Sequence, residues 1–123
     1  RCRVMEQFGV EPLTAKEWLN YAYDVMGSNL YEAIHNNAGY QGIYAPPSIM
    51  NRYILEDVPM SLVPISSFGK MFNLDTPIID AVVYLANAML GRDFWREGRT
   101  VKSLGLEGRS LKEILRYVEE GEL

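Results

Sequence analysis

The 123-residue chain is poor in the residues that build most catalytic and metal centres, holding one cysteine, Cys2, and one histidine, His35. A lone cysteine closes no internal disulfide, and one cysteine with one histidine cannot supply the ligands of a structural zinc site. A nucleophile–histidine arrangement would have to run through His35. That residue falls near the end of a short helical segment, where an imidazolium suits the helix dipole, so it reads as structural. No GxGxxG or GxxxxGK[ST] occurs, so a backbone cradle for nucleotide phosphates has no place here. Basic residues do not dominate either: 12 Lys and Arg stand against 16 Asp and Glu, a net charge of −4. This excludes a broad nucleic-acid or anionic-membrane surface. The most apolar run, Pro77 to Leu90, is shorter than a bilayer span and is interrupted by Asp80 and Asn87, which makes it a buried helix. With no membrane segment and no disulfide, the expected location is cytoplasmic.

What is present suits one helical domain, since 48% of the residues are hydrophobic, enough for a modest core. Thr14-Ala15-Lys16-Glu17 is a capping box that predicts a helix from Thr14 to Met26 with Gly27 at its end. Asn29 to Asn37 places Leu30, Ala33 and Ile34 on one face of a second helix. Ala38 to Ser48 is a loop rich in Gly, Pro and Tyr, because two glycines and Pro46-Pro47 forbid regular structure. Ile49 to Leu55 again has helical spacing. A further helix beginning at Glu56-Asp57-Val58-Pro59 runs towards Phe72, with a kink or restart expected at Pro64. Thr76 caps a helix with Pro77 in its first turn. Its stripes Ile78/Val82/Leu85/Met89 and Ile79/Val83/Ala86/Leu90 make it apolar on most sides, hence the central helix. Asp93 to Thr100 is a short turn of helix or an irregular connection. Ser110 opens a second capping box whose helix turns Leu111, Ile114, Leu115 and Val118 inward and stops at Gly121. No strand candidate remains, so the fold class is all-α, about six helices with one long loop. The chain opens on Arg1-Cys2-Arg3-Val4 inside a helical pattern without an initiator methionine, and it is expected to be an N-terminally truncated fragment.

The candidate chemistry lies in Arg52 to Pro59 (RYILEDVP), which sets a fork-shaped cation ahead of a carboxylate at a helix-to-helix corner. Spacing alone equally allows local roles: Asp57 or Glu56 as an N-cap, and Arg52 paired with Glu56 at i,i+4.

The same residues resemble the Arg-Tyr-x-x-Glu-Asp-Val-Pro signature of the helical domain of the octopine/nopaline (opine) dehydrogenases. Leu62-Val63-Pro64, Gly69-Lys70, Thr76-Pro77-Ile78-Ile79-Asp80, Gly91-Arg92-Asp93-Phe94-Trp95, Glu97-Gly98-Arg99-Thr100 and Leu104-Gly105-Leu106 follow in the family's order. The resemblance covers nearly the whole chain. It implies that residues 1–123 are the substrate-binding C-terminal domain of a two-domain enzyme resembling 6-phosphogluconate-dehydrogenase-like proteins, whose N-terminal Rossmann domain is absent from this chain and binds NAD or NADP. Such enzymes condense an amino acid with a 2-oxo acid such as pyruvate and reduce the imine with cofactor hydride. Arg52 would then bind a substrate carboxylate, and Asp57 would orient and polarise a catalytic histidine that lies upstream in the family. His35 falls in no matching motif and does not take that role, so the fragment alone is expected to be inactive. Tyr53 and Trp95 could line the amino-acid pocket, although aromatics at such spacing more often belong to the core. Ser61 stands where many relatives have glycine, one helical turn from Asp57. The implied partners are the two substrates, the protein's own Rossmann domain and a possible second copy in a homodimer.

Two other readings fit the caps and stripes: a non-enzymatic helical interaction module, and the helical domain of another Rossmann-linked reductase such as a ketopantoate-reductase-like enzyme. Neither accounts for the order of motifs around Arg52 to Pro59. A GxGxxG after a strand, together with a histidine just upstream of Arg1, would separate the three.

Overall fold

The computed structural model describes residues 1–121, and every regular element among them is helical. In chain order these are α1 (Cys2–Gln7), α2 (Ala15–Tyr23), α3 (Leu30–Asn36), a 3-10 turn at Ala38–Tyr40, α4 (Arg52–Leu55), a π turn at Val58–Leu62, α5 (Val63–Met71), α6 (Pro77–Leu90), α7 (Phe94–Glu97) and α8 (Leu111–Glu120). The all-α reading therefore holds, with more and shorter helices than expected.

Both capping boxes form: Thr14 Oγ1 accepts from Glu17 N, Ser110 Oγ accepts from Glu113 N, and each glutamate carboxylate accepts from its cap's N–H. Boundaries move where side chains compete. Helix α2 stops at Tyr23 rather than Met26, because Asp24 takes a left-handed conformation (φ 52°) and donates its N–H to Asn20 O. Gly27 serves a different purpose from the expected stop. A Cβ there would lie 2.5 Å from the Ala33 backbone nitrogen, so glycine lets α2 and α3 close on each other around Leu19, Val25 and Ala33. The helix expected from Ile49 starts only at Arg52, because the Asn51 side chain accepts from Tyr53 N and caps the chain there.

The break expected at Pro64 takes the form of the π turn before it. Pro64 has no N–H to give, and Val63 N bonds back to Val58 O, which leaves the Pro59 carbonyl outside the ladder. Arg99 N takes up that carbonyl at 3.0 Å. Gly98 makes this approach possible, since a Cβ would lie 2.7 Å from Pro59 O and 2.8 Å from Val63 Cγ1. The main core of Val58, Val63, Val83, Ala86 and fully enclosed Phe94 forms behind the pinned turn. Truncating a buried phenylalanine of this kind costs about 3–5 kcal/mol. A third cluster joins Val101, Leu106 and Ile114 of α8 to Phe8, Phe68 and Met71.

Three further expectations are corrected. Thr76 sits before α6 but makes no capping bond; its hydroxyl bonds Ser66 Oγ at 3.0 Å and Asp80 Oδ1 at 3.1 Å. On α8 only Ile114 is buried, while Leu115 and Val118 stay open. Helix α6 is not wrapped on most sides: Val83 and Ala86 face the core, whereas the stripe Ile78, Val82, Leu85 and Met89 is exposed.

Candidate functional site

The Arg52–Pro59 segment occupies the head of the α4–π–α5 run. Its chain direction is set by the Asn51 cap on one side and the pinned Pro59 carbonyl on the other. Val58 and Pro59 turn into the core, and this leaves Arg52, Tyr53, Glu56, Asp57, Met60 and Ser61 exposed. The core anchor thus fixes the register of the open face.

Neither local role that spacing allowed is taken up. Asp57 precedes the π turn with no side-chain capping bond. The ion pairs among the described residues join Lys70 to Asp80, Arg92 to Glu97, Arg109 to Glu113 and Arg116 to Glu120, and Arg52 is in none of them. The Arg52 guanidinium lies 5.6 Å from the Tyr53 ring centroid, a contact that orients the cation without neutralising it. Tyr53 also borders a shallow cleft of about 370 Å³ with Pro46, Pro47, Ser48 and Ile49, the end of the long loop.

Trp95 does not join this group. It is half-buried against the Val58/Phe94 core, 5.8 Å from the Tyr84 ring, with Lys70 Nζ 4.2 Å above its own ring. It borders a separate cleft of about 630 Å³ with Lys70, Tyr84 and Asn87. Lys70 is 13 positions beyond Asp57, about 20 Å along a helical path. Tyr53 and Trp95 therefore line different clefts. His35 belongs to neither: its Nδ1 lies 2.9 Å from Tyr31 O and its ring is stacked 3.9 Å from the Tyr31 ring at the end of α3.

One polar knot escaped the sequence reading. Ser66, fully buried, donates to Asp80, and Asp80 in turn pairs with Lys70 at 3.8 Å, which ties α5 to α6. Only the i,i+4 relation of Thr76 to Asp80 hinted at it.

Among the described residues there is no strand-to-helix backbone cradle for dinucleotide phosphates. The described residues contain no strand and so no strand-to-helix glycine turn, and the longest helix, α6, starts with Pro77 and carries its own carboxylate, Asp80, in its first turn.

Among the described residues the domain is all-helical, and Arg52 and Asp57 are both exposed, with no ion pair on Arg52 and no side-chain capping bond on Asp57. Residues 1–90 match the family model of the NAD/NADP octopine/nopaline dehydrogenase alpha-helical domain, and the chain belongs to that family. It is 37% identical over 119 residues to an opine dehydrogenase of Arthrobacter sp. (strain 1C), covering 97% of this chain and 33% of that protein. It is 29% identical over 116 residues to the protein ocs of Agrobacterium tumefaciens (strain Ach5), covering 94% and 32%. A tauropine dehydrogenase of Arabella iricolor is 28% identical over 82 residues, 58% of this chain and 21% of the relative. The chain thus spans about a third of the length of the first two of these relatives. No helix among the described residues is long and apolar enough to cross a membrane.

Proposed function

We propose that this chain is the substrate-binding domain of an opine dehydrogenase that joins an amino acid to a 2-oxo acid such as pyruvate, at the expense of NADH or NADPH. Residues 1–123 make up the helical domain, and a Rossmann domain N-terminal to it holds the cofactor. The observation that carries this reading is the pair Arg52 and Asp57, both exposed and with neither of their local partners engaged.

The Arg52 fork binds the carboxylate of the 2-oxo acid through two parallel charge-assisted bonds, so that the keto carbon is held for attack by the amino group. Asp57 accepts a hydrogen bond from a histidine supplied by upstream polypeptide. The negative charge favours the imidazolium, and the histidine can then donate the proton that carries the carbinolamine oxygen away as water. The nicotinamide supplies the hydride when bound, and the cofactor is held mainly by the N-terminal domain. Tyr53, beside Arg52, forms one wall of the amino-acid side of the site.

The test is cofactor oxidation by the full-length protein. Absorbance at the reduced-nicotinamide band is expected to fall only when an amino acid and a 2-oxo acid are both present, giving a secondary-amine dicarboxylate by mass spectrometry. Oxidation with the oxo acid alone, yielding a 2-hydroxy acid, would overturn the reading.

A further inference from the structure

The solvent side of α6 is built like an interior surface. Ile78, Val82, Leu85 and Met89 are 77%, 43%, 60% and 49% exposed. The other exposed positions of the helix are Pro77, Ala81, Tyr84 and Ala88, so none of its exposed residues carries a charge. The single charged residue of α6, Asp80, is turned into the knot with Ser66 and Thr76. A helix face meant for water carries charged side chains, as α8 does with Lys112, Arg116, Glu119 and Glu120.

The pattern also selects the shape of what covers it. The 4-3-4 spacing of Ile78, Val82, Leu85 and Met89 is the seam of helix-on-helix packing, and Ala81 and Ala88 beside it let a second backbone come close. The seam runs about 17 Å. The open surface of these four side chains is on the order of 450 Å², roughly half of what one partner contributes to a standard-size interface. A patch of that size holds a free partner poorly, but it suffices for a segment of the same polypeptide, whose local concentration is high. Arg1 to Val4 lie against Leu74 to Ile79 across a cleft of about 380 Å³, so polypeptide preceding Arg1 would enter beside Ile78, at one end of the seam.

We infer that the exposed face of α6 is the seat of a helix contributed by the part of the same polypeptide that precedes Arg1. That helix makes α6 a buried central helix in the whole protein, the environment its apolar stripes call for. The inference rests on the placement of an N-terminal part before this chain, as proposed above, but not on which reaction the protein catalyses, so the cross-link can fail while the reaction holds, and the reverse.

Two measurements on the full-length protein test it. Oxidation of Met89 by dilute hydrogen peroxide, followed by peptide mapping, is expected to be at least tenfold slower in the native protein than in urea. A native rate within about threefold of the unfolded one would overturn the inference. So would protection that disappears on dilution together with a shift to a smaller sedimenting species, because the occupant would then be a second copy. A photo-cross-linking amino acid at Leu85 is expected to join a peptide upstream of Arg1 in the same chain, whereas a cross-link between copies would overturn it. If the Leu85 variant does not fold, the Met89 rate in the unmodified protein decides the matter.

Discussion

The two ends of the α4–π–α5 run handle charge in opposite ways. At the far end Lys70 lies over Trp95 and pairs with Asp80, Asp80 is bonded by Ser66 and Thr76, and Arg92 is paired with Glu97. At the near end Arg52 and Asp57 stand a few residues apart with no ion pair and no cap between them. Charges tied into their own fold contribute to its geometry. Charges left open at a rigidly anchored corner are available to a ligand. On the function proposed above, the far end serves structure and the near end serves chemistry.

The sharpest way to break that contrast is Asp57→Asn in the full-length protein. The amide keeps the size but cannot stabilise an imidazolium, so kcat/KM is expected to fall about a hundredfold to ten-thousandfold while the melting temperature holds. A collapsed melting temperature with normal activity per folded molecule would make Asp57 structural after all. Next comes Gly98→Ala, which forces a methyl against the Pro59 and Phe94 carbonyls and should destabilise by about 1–3 kcal/mol in urea unfolding. Because Gly98 holds the π turn, that variant should also lower activity in the molecules that remain folded. Trp95→Phe belongs to the other end. It should leave kcat and both KM values within about threefold, the change falling in stability instead. The smallest effect lies away from both ends. Hydrogen bonds with Thr14 hold the Glu17 carboxyl below its ordinary range, and those with Ser110 do the same for Glu113. A lowered folded value means the stabilisation is present in full above the unfolded value, about 4.3, and is lost as pH falls through the folded one. The melting temperature should therefore decline below about pH 4, and Glu113→Gln should flatten that decline.

Much of the fold was legible because it is written in local chemistry. The capping boxes at Thr14 and Ser110, and Gly121 in its left-handed closing position, act within one turn of themselves. What was not legible depends on distant partners. The π turn arises from two prolines and survives because Arg99, far along the chain, takes the freed carbonyl. Thr76 abandons its cap for Ser66, and Asp24 ends α2 ahead of the glycine that looked like its stop. The site was legible only in part. The residue types and order around Arg52 and Asp57 pointed to carboxylate chemistry, but their freedom from each other and from the caps is a property of three-dimensional placement. Trp95, grouped with Tyr53 by residue type, lies beside another cleft.

The central claim is that Arg52 is left open in order to bind a substrate carboxylate, and the most direct measurement is a specificity ratio. In the full-length protein, kcat/KM for a 2-oxo acid is compared with that for its neutral carboxamide, in the wild type and in Arg52→Leu. A bidentate charge-assisted contact predicts wild-type discrimination of about a hundredfold or more, most of it lost in the variant through a slower reaction of the acid. If Arg52→Leu keeps the wild-type ratio, the guanidinium does not read the carboxylate and the account is wrong.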